Sequence, residues 1–154
     1  MKKLVSLTVA AVVAIALVAA SASAQGKDPV LGTWILNVAK SKFDPAPGAK
    51  SGTRVYTAAA GGKYSLVADQ VGADGKTQKT EFTAADDGKD YPYKGDANYN
   101  TISIKRIDAN TVESTLKLNG KEVGKARRSV SADGKTMTIT QSGASKNVTV
   151  WDKK

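Results

Sequence analysis

Acid–base chemistry in this chain would have to come mainly from carboxylates, because its 154 residues include no histidine and no cysteine. The lack of imidazole and thiol groups excludes a Ser-His-Asp or Cys-His nucleophile system, a zinc site of ordinary ligands and a disulfide framework. A hydrolase with paired carboxylates needs two of them in one cleft at a fixed separation. Asp74, Asp87, Asp108 and Asp133 instead lie in tight turns, and no pair is forced together. We therefore predict a protein that is not an enzyme, with no catalytic residue, metal or cofactor.

Binding is better supported, by aromatic rings and by one arginine that the strand pattern turns inward. Arg128 alternates with Ala126 and Val130, so these three side chains share the face expected to be apolar. An interior guanidinium either contacts a ligand or is paired or stacked as a structural plug, and both interpretations stay open here. The candidate ligand-binding residues are Arg128, Tyr56, Tyr64, Phe82, Tyr91, Tyr93 and Tyr99.

The first 24 residues differ in composition from the rest of the chain. Lys2 and Lys3 precede an unbroken apolar run at residues 9–20, and Ala22-Ser23-Ala24 has the small-residue pattern of a cleavage site. A membrane-spanning helix would need about 20 apolar residues. We therefore predict a cleaved bacterial secretory signal at residues 1–24 and a single domain at residues 25–154, located in the periplasm or secreted.

The rest of the chain consists of short segments with period-two alternation, rich in Thr, Val, Ile and Tyr and separated by Gly, Asp and Asn. In one of them Val112, Leu116 and Leu118 share one face, while Glu113 and Lys117 share the other. No segment keeps helical spacing over a dozen residues. Nine strands are predicted, at residues 32–37, 53–59, 64–71, 78–84, 101–105, 111–118, 122–130, 136–141 and 147–152.

Asp-Gly and Asn-Gly turns join several of these strands. Residues 73–76 and 132–135 both read Ala-Asp-Gly-Lys, and residues 119–121 read Asn-Gly-Lys. Such pairs supply the positive φ angles of tight hairpins, whereas the alternating ligands of a calcium loop are missing. We predict an all-β, antiparallel up-and-down meander that closes into a barrel of about eight or nine strands, because closure removes exposed edges. Charged residues interrupt any lipid-facing band, which favours a soluble barrel over an outer-membrane one.

Two longer connections, at residues 38–52 and 86–100, interrupt the meander because they are rich in Pro, Gly and Asp. Both are predicted to be loops, and the tyrosines of the second either line a pocket entrance or anchor the loop. The third strand contributes either Val67 and Val71 or Tyr64 and Leu66 to the interior. The other residues predicted to point inward are Leu36, Phe82, Ile102, Ile104, Val112, Ser114, Leu116, Leu118, Met137, Ile139, Val148 and Val150.

The basic residues outnumber the acidic ones but are dispersed. The formal net charge of +9 becomes +7 once Lys2 and Lys3 leave with the signal. Only residues 121–128 hold a denser basic group. Dispersed charge is typical of a solvated face and does not predict nucleic-acid binding, although it would suit an anionic component of the cell envelope.

Gly32-Thr33-Trp34, on the first predicted strand, resembles the Gly-x-Trp motif of lipocalins and fatty-acid-binding proteins, the calycin group. The meander that follows has the length of that group's barrels. The stretches GTWILNVAKSKFDP, KRIDANTVESTLK, VSADGKTMTIT and NVTVWDKK also resemble small exported bacterial proteins of undefined function. This second resemblance implies no activity.

The calycin resemblance implies that Trp34 closes one end of the barrel beneath an arginine from a late strand, for which Arg128 is the candidate. Gly32, Trp34 and Arg128 would then form a structural plug. The fatty-acid-binding proteins' Arg-x-Tyr carboxylate anchor is absent, because residues 148–151 read Val-Thr-Val-Trp. Their lid helices have no place in residues 38–52, and the later Thr-Asp-Tyr signature of lipocalins is not recognisable.

These features predict an exported, monomeric, non-enzymatic protein that holds a small, mainly apolar ligand in a β-barrel, with Arg128 and the tyrosines giving polar contacts. The alternative is an envelope protein whose barrel is filled by its own side chains and whose basic outer face binds an anionic partner. Neither interpretation includes a membrane-spanning segment.

Overall fold

The computed structural model describes residues 28–154, and these form ten β-strands without a helix. The predicted signal peptide at residues 1–24 lies outside the described residues. Within residues 28–154, no helix is long and apolar enough to cross a membrane. The strands are β1 (Gly32–Lys42), β2 (Ser51–Ala59), β3 (Lys63–Val71), β4 (Thr77–Ala84), β5 (Asp87–Lys94), β6 (Thr101–Arg106), β7 (Thr111–Leu118), β8 (Lys121–Val130), β9 (Thr136–Gly143) and β10 (Val148–Lys153).

Each strand pairs antiparallel with its neighbours in sequence, and β1 also pairs with β10, so the sheet closes into a barrel. The connections that follow odd-numbered strands therefore lie together at one end, which we call the open end. The connections that follow even-numbered strands lie at the other end together with residues 28–31, and we call this the closed end. The predicted all-β antiparallel meander and its closure into a barrel are confirmed.

The strand that the sequence analysis did not predict is β5, which occupies most of the region predicted to be a loop at residues 86–100. Tyr91 and Tyr93 lie on one face of β5, and Tyr91 pairs with Ile102 of β6. β4 pairs with β5 only at Glu81–Lys94 and Phe82–Tyr93. The residue that precedes Tyr93 is Pro92, which has no N–H with which to extend that ladder of hydrogen bonds. The loop prediction was therefore wrong for residues 87–94, where the proline and glycine content concealed an alternating strand.

The first strand is also longer than predicted, because β1 continues to Lys42 and only residues 43–50 connect it to β2. Its register with β10 shifts between Asn37 and Lys42, where the ladder is irregular. The N–H of Val150 donates a hydrogen bond to the Ser41 hydroxyl at 2.9 Å across this irregular stretch. Pairing with β10, which no local pattern reveals, keeps the chain extended here.

The core contains most of the residues that were predicted to point inward. The exceptions concern β3, where two registers were left open, and β10, where the predicted register was wrong. On β3, Tyr64 and Leu66 are buried, which resolves the open choice against the pair of valines. On β10 the buried residues are Thr149 and Trp151, so the prediction of Val148 and Val150 was wrong. Trp151 pairs with Met137 and Thr149 with Ile139, and paired residues point to the same face of a sheet.

Candidate functional site

The closed end of the barrel is sealed by Trp34 and the residues just before β1. Trp34 is fully buried and its Nε1 donates a hydrogen bond to the Val30 carbonyl at 2.7 Å. The Nζ of Lys153 lies 4.9 Å from the indole centroid. Gly32 has a φ of 124°, and a Cβ there would lie 3.0 Å from Lys153 Cε. The Gly-x-Trp segment thus lets the chain turn closely beneath the lysine.

Arg128 does not lie over Trp34, so that part of the predicted plug is wrong. Its guanidinium lies 5.1 Å from the ring centroid of Tyr56 and 5.2 Å from that of Tyr64. Its Nη2 donates to the Tyr64 hydroxyl at 3.1 Å. In a ten-stranded barrel β8 faces β3 across the interior, so an inward side chain from β8 reaches β2 and β3 and not β1.

A hydrogen-bonded network extends from this buried arginine to the closed end. The Tyr64 hydroxyl donates to Asp86 Oδ1 at 2.9 Å, and Asp86 forms an ion pair with Arg106. Arg106 also pairs with Asp28, which precedes the first strand. Burial raises the pKa of Tyr64, so the hydroxyl keeps its proton and stays a donor. The network connects the interior of the barrel to the segment that leads into β1.

Aromatic rings form a continuous series that begins in the half of the interior near the closed end, which we call the lower half, and ends near the open end. Tyr56, Tyr64, Phe82, Tyr93 and Tyr99 follow one another with centroid separations of 6.0, 6.1, 5.7 and 4.8 Å. Beside this series and Arg128 a void of only about 50 Å³ remains. The lower half of the barrel is therefore largely filled by side chains.

The half of the barrel near the open end, which we call the upper half, holds a cavity of about 430 Å³ that opens toward the β5–β6 and β9–β10 connections. We call it the mouth cavity. Its polar wall comes from β2, β3 and β4 and includes Arg54, Gln70, Gln78 and Thr80, and two carboxylates, Asp69 and Asp96, also line the cavity. Its apolar wall consists of Tyr93 of β5, Tyr99 of the β5–β6 connection, Leu116 and Leu118 of β7, and Val123 of β8. Gln141 of β9 and Trp151 of β10 complete the ring.

Arg54 is the cation of the mouth cavity, and it has unused hydrogen-bonding capacity. Its Nη1 donates to the Tyr56 hydroxyl at 3.2 Å, and its guanidinium lies 4.9 Å from a Trp151 ring centroid. Its Nε is buried without a hydrogen-bond partner. Within residues 28–154, neither Arg54 nor Arg128 forms an ion pair with a carboxylate. A guanidinium that lies inside the barrel without an acidic partner suits an anionic group supplied from outside.

Tyr56 lies between the two interior guanidiniums, and they change its acidity. Burial opposes ionisation of the phenol, but the positive charges of Arg54 and Arg128 outweigh burial and lower the pKa of Tyr56. Tyr99, further up the series, has its pKa raised chiefly by burial. Tyr56 therefore ionises more readily than an ordinary tyrosine, and its anion would balance part of the interior positive charge.

The structure brings five of the predicted ligand residues into one aromatic series, but only Tyr93 and Tyr99 of these line the mouth cavity. Tyr91 lies apart, with its hydroxyl on Asp87 at 2.9 Å. Arg128 borders the small lower void and does not line the mouth cavity. The sequence analysis missed Arg54, although its alternation with Tyr56 on β2 was a usable signal.

No family model and no curated protein sequence matches this chain. Several solved structures are similar to this chain. Fatty-acid-binding protein 1 of Echinococcus granulosus superposes with a TM-score of 0.58 at 15% sequence identity, and the match covers 81% of this chain and 97% of that protein's chain. The REP1-NXSQ fatty acid transporter gives 0.56 at 16% identity, over 80% and 95%. The fluorescent protein UnaG gives 0.54 at 13%, over 81% and 97%. These likenesses show that the chain shares the closed antiparallel barrel fold of these three proteins.

Proposed function

We propose that this protein is a non-enzymatic binding protein that holds one small amphipathic ligand in the mouth cavity. The observation that carries the proposal is a cavity of about 430 Å³ that contains a cation, Arg54, without a carboxylate partner among the described residues. Cavities of roughly 300–1,000 Å³ are the usual size for small-molecule sites. Two of the solved structures with this fold are, by their names, a fatty-acid-binding protein and a fatty acid transporter, which supports the same class of function.

The ligand's apolar part would pack on the apolar wall, and its acidic group would bind Arg54. Leu116, Leu118 and Tyr99 offer apolar surface, while the guanidinium of Arg54 supplies a positive charge. A hydrogen bond between charged groups contributes about 1.5–3 kcal/mol when its partners are shielded from water. In this proposal Arg54 takes the ligand-contact role that the sequence assigned to Arg128, and Arg128 acts in the lower interior.

Titration with the anionic aromatic probe 1-anilinonaphthalene-8-sulfonate tests the proposal. Arg54→Met should weaken binding by about tenfold to a hundredfold, because the sulfonate loses its charged donor. Arg127→Met is the matched control, since Arg127 is exposed on β8 and pairs with Glu113. Equal affinities of the two variants for the probe would contradict a role for Arg54.

The alternative function is a filled barrel whose basic outer face binds an anionic envelope component, and the filled lower half favours it. Salt separates the two functions, because screening weakens contacts between exposed charges far more than contacts inside a cavity. A bound probe that is released as ionic strength rises, in wild type and Arg54→Met alike, would favour the outer face.

We also propose that the protein is exported to the periplasm or secreted, on the basis of the signal-like residues 1–24. Native mass spectrometry of the exported protein should give the mass of a chain that begins at Gln25, with any co-purified ligand as a stoichiometric addition. A chain that retains Met1 after fractionation with the cytoplasm would contradict export.

A further inference from the structure

The mouth cavity is two-sided, and this property restricts the chemistry of its ligand more closely than the size of the cavity does. The polar wall comes from three consecutive strands, β2 to β4, while much of the apolar wall comes from β7 and β8. Because the sheet closes on itself, these two groups of strands face each other across the cavity. A ligand between them meets the guanidinium of Arg54 and the amide of Gln70 along one side and hydrocarbon along the other, where the Gln141 amide of β9 borders the apolar wall.

The amides of this cavity have hydrogen-bonding groups to spare. Gln70 and Gln141 are half-buried on the inward faces of β3 and β9, and neither side chain forms a hydrogen bond within residues 28–154. Gln78 is different, since its Nε2 already donates to the Gly95 carbonyl at 2.9 Å. An apolar chain placed against Gln70 and Gln141 would displace water from amides without replacing its hydrogen bonds, which costs free energy.

The interior below also limits the ligand's length. The aromatic series and Arg128 leave a void of only about 50 Å³ beneath the cavity, so an extended chain has no room to continue downward. A compact ligand with a ring suits the available shape. Aromatic surface at Tyr93, Tyr99 and Trp151 provides planar faces on which such a ring packs.

We infer that the ligand is a compact acid that carries a ring and several hydroxyl groups, such as an aromatic glycoside acid, and not a long acyl chain. The inference rests on the proposed function and specifies its ligand class. The acid binds Arg54, and the ring lies on the apolar wall. The hydroxyl groups exchange hydrogen bonds with Gln70 on the polar wall and with Gln141, which borders the apolar wall.

Calorimetric titration with three probes tests the inference: 4-methylumbelliferyl glucuronide, the corresponding neutral glucoside, and palmitate. The glucuronide should bind most tightly, and the glucoside about tenfold more weakly because it lacks the charge that Arg54 binds. Replacing both amides, Gln70→Leu with Gln141→Leu, should weaken glucuronide binding about tenfold or more and leave palmitate binding equal or stronger. Thr140→Val, an outward-facing substitution next to Gln141 on β9, is the matched control and should change neither.

The outcomes distinguish this inference from the function on which it rests. Palmitate that binds more tightly than the glucuronide in the wild type would overturn the inference, while a small-ligand cavity would stand. Glucuronide affinity that is unchanged by the double leucine variant would overturn the role of the amides. If none of the three probes binds a barrel whose circular dichroism and thermal unfolding are normal, both the inference and the proposed function are overturned.

Discussion

Tyr64 connects the buried Arg128 to Asp86, so Tyr64→Phe tests this network with almost no change in packing. The substitution keeps the ring but removes the hydroxyl that accepts a hydrogen bond from Arg128 Nη2 at 3.1 Å. It also removes the hydrogen bond that this hydroxyl donates to Asp86 Oδ1 at 2.9 Å. Asp86 keeps its ion pair with Arg106, whereas Arg128 loses a buried partner. The cost should therefore come mainly from an unsatisfied guanidinium.

The expected magnitude follows from those two bonds. A buried donor left without a partner costs about 1–3 kcal/mol, and an ordinary lost hydrogen bond costs about 0.5–1.5 kcal/mol. We expect Tyr64→Phe to lower the free energy of unfolding by about 2–4 kcal/mol. For a domain of this size such a loss lowers the melting temperature by roughly 10 °C.

Urea unfolding monitored by tryptophan fluorescence measures this difference. Tyr91→Phe is the matched control, because it removes an exposed hydrogen bond to Asp87 and should have a much smaller effect. Adding Arg128→Met should reduce the effect of Tyr64→Phe, with a coupling free energy of about 1–2 kcal/mol in the double-mutant cycle. If Tyr64→Phe and Tyr91→Phe are equally stable, or the cycle shows no coupling, the network does not stabilise the barrel.

Three further predictions concern other parts of the barrel. Gly95→Ala should lower the free energy of unfolding in urea far more than Gly88→Ala does, although both glycines have positive φ. A Cβ at position 95 would lie 1.9 Å from the Lys79 carbonyl oxygen, whereas a Cβ at position 88 would contact nothing. Equal effects of the two substitutions would refute this. Ultraviolet absorbance should show a tyrosine that ionises at lower pH than a free tyrosine in the wild type but not in Tyr56→Phe. Because the pKa of Tyr56 is lowered by folding, its ionisation stabilises the fold when the pH is above the pKa of this tyrosine in the unfolded chain. This stabilisation disappears as the pH falls through the pKa of Tyr56 in the folded protein. Arg106→Met should lower the free energy of unfolding by about 1–2 kcal/mol, a value that allows for the partial exposure of Arg106. It should also speed amide hydrogen exchange at residues 28–31. Unchanged exchange would show that the network does not hold that segment.

Local alternation predicted nine of the ten strands, but it failed where composition was misleading. Residues 87–94 contain glycine, proline and four charged residues, a composition typical of loops, yet Tyr91 and Tyr93 repeat at the strand period. At β10, the run Val148-Thr149-Val150-Trp151 offers residues of high strand propensity on both faces, so local pattern gives no preference for either. Pairing with β9 places Trp151 against Met137 inside the barrel.

The sequence by itself determined the fold class, the antiparallel order of the strands and the inward direction of Arg128, because turn chemistry and period-two alternation are local properties. Only the tertiary structure decided which inward side chain reaches a cavity. Arg54 and Arg128 both point inward, but Arg54 lines the mouth cavity and Arg128 lies among the lower rings. Alternation gives the face of a residue and not its height in the barrel, because height depends on the stagger of all the strands once the sheet has closed.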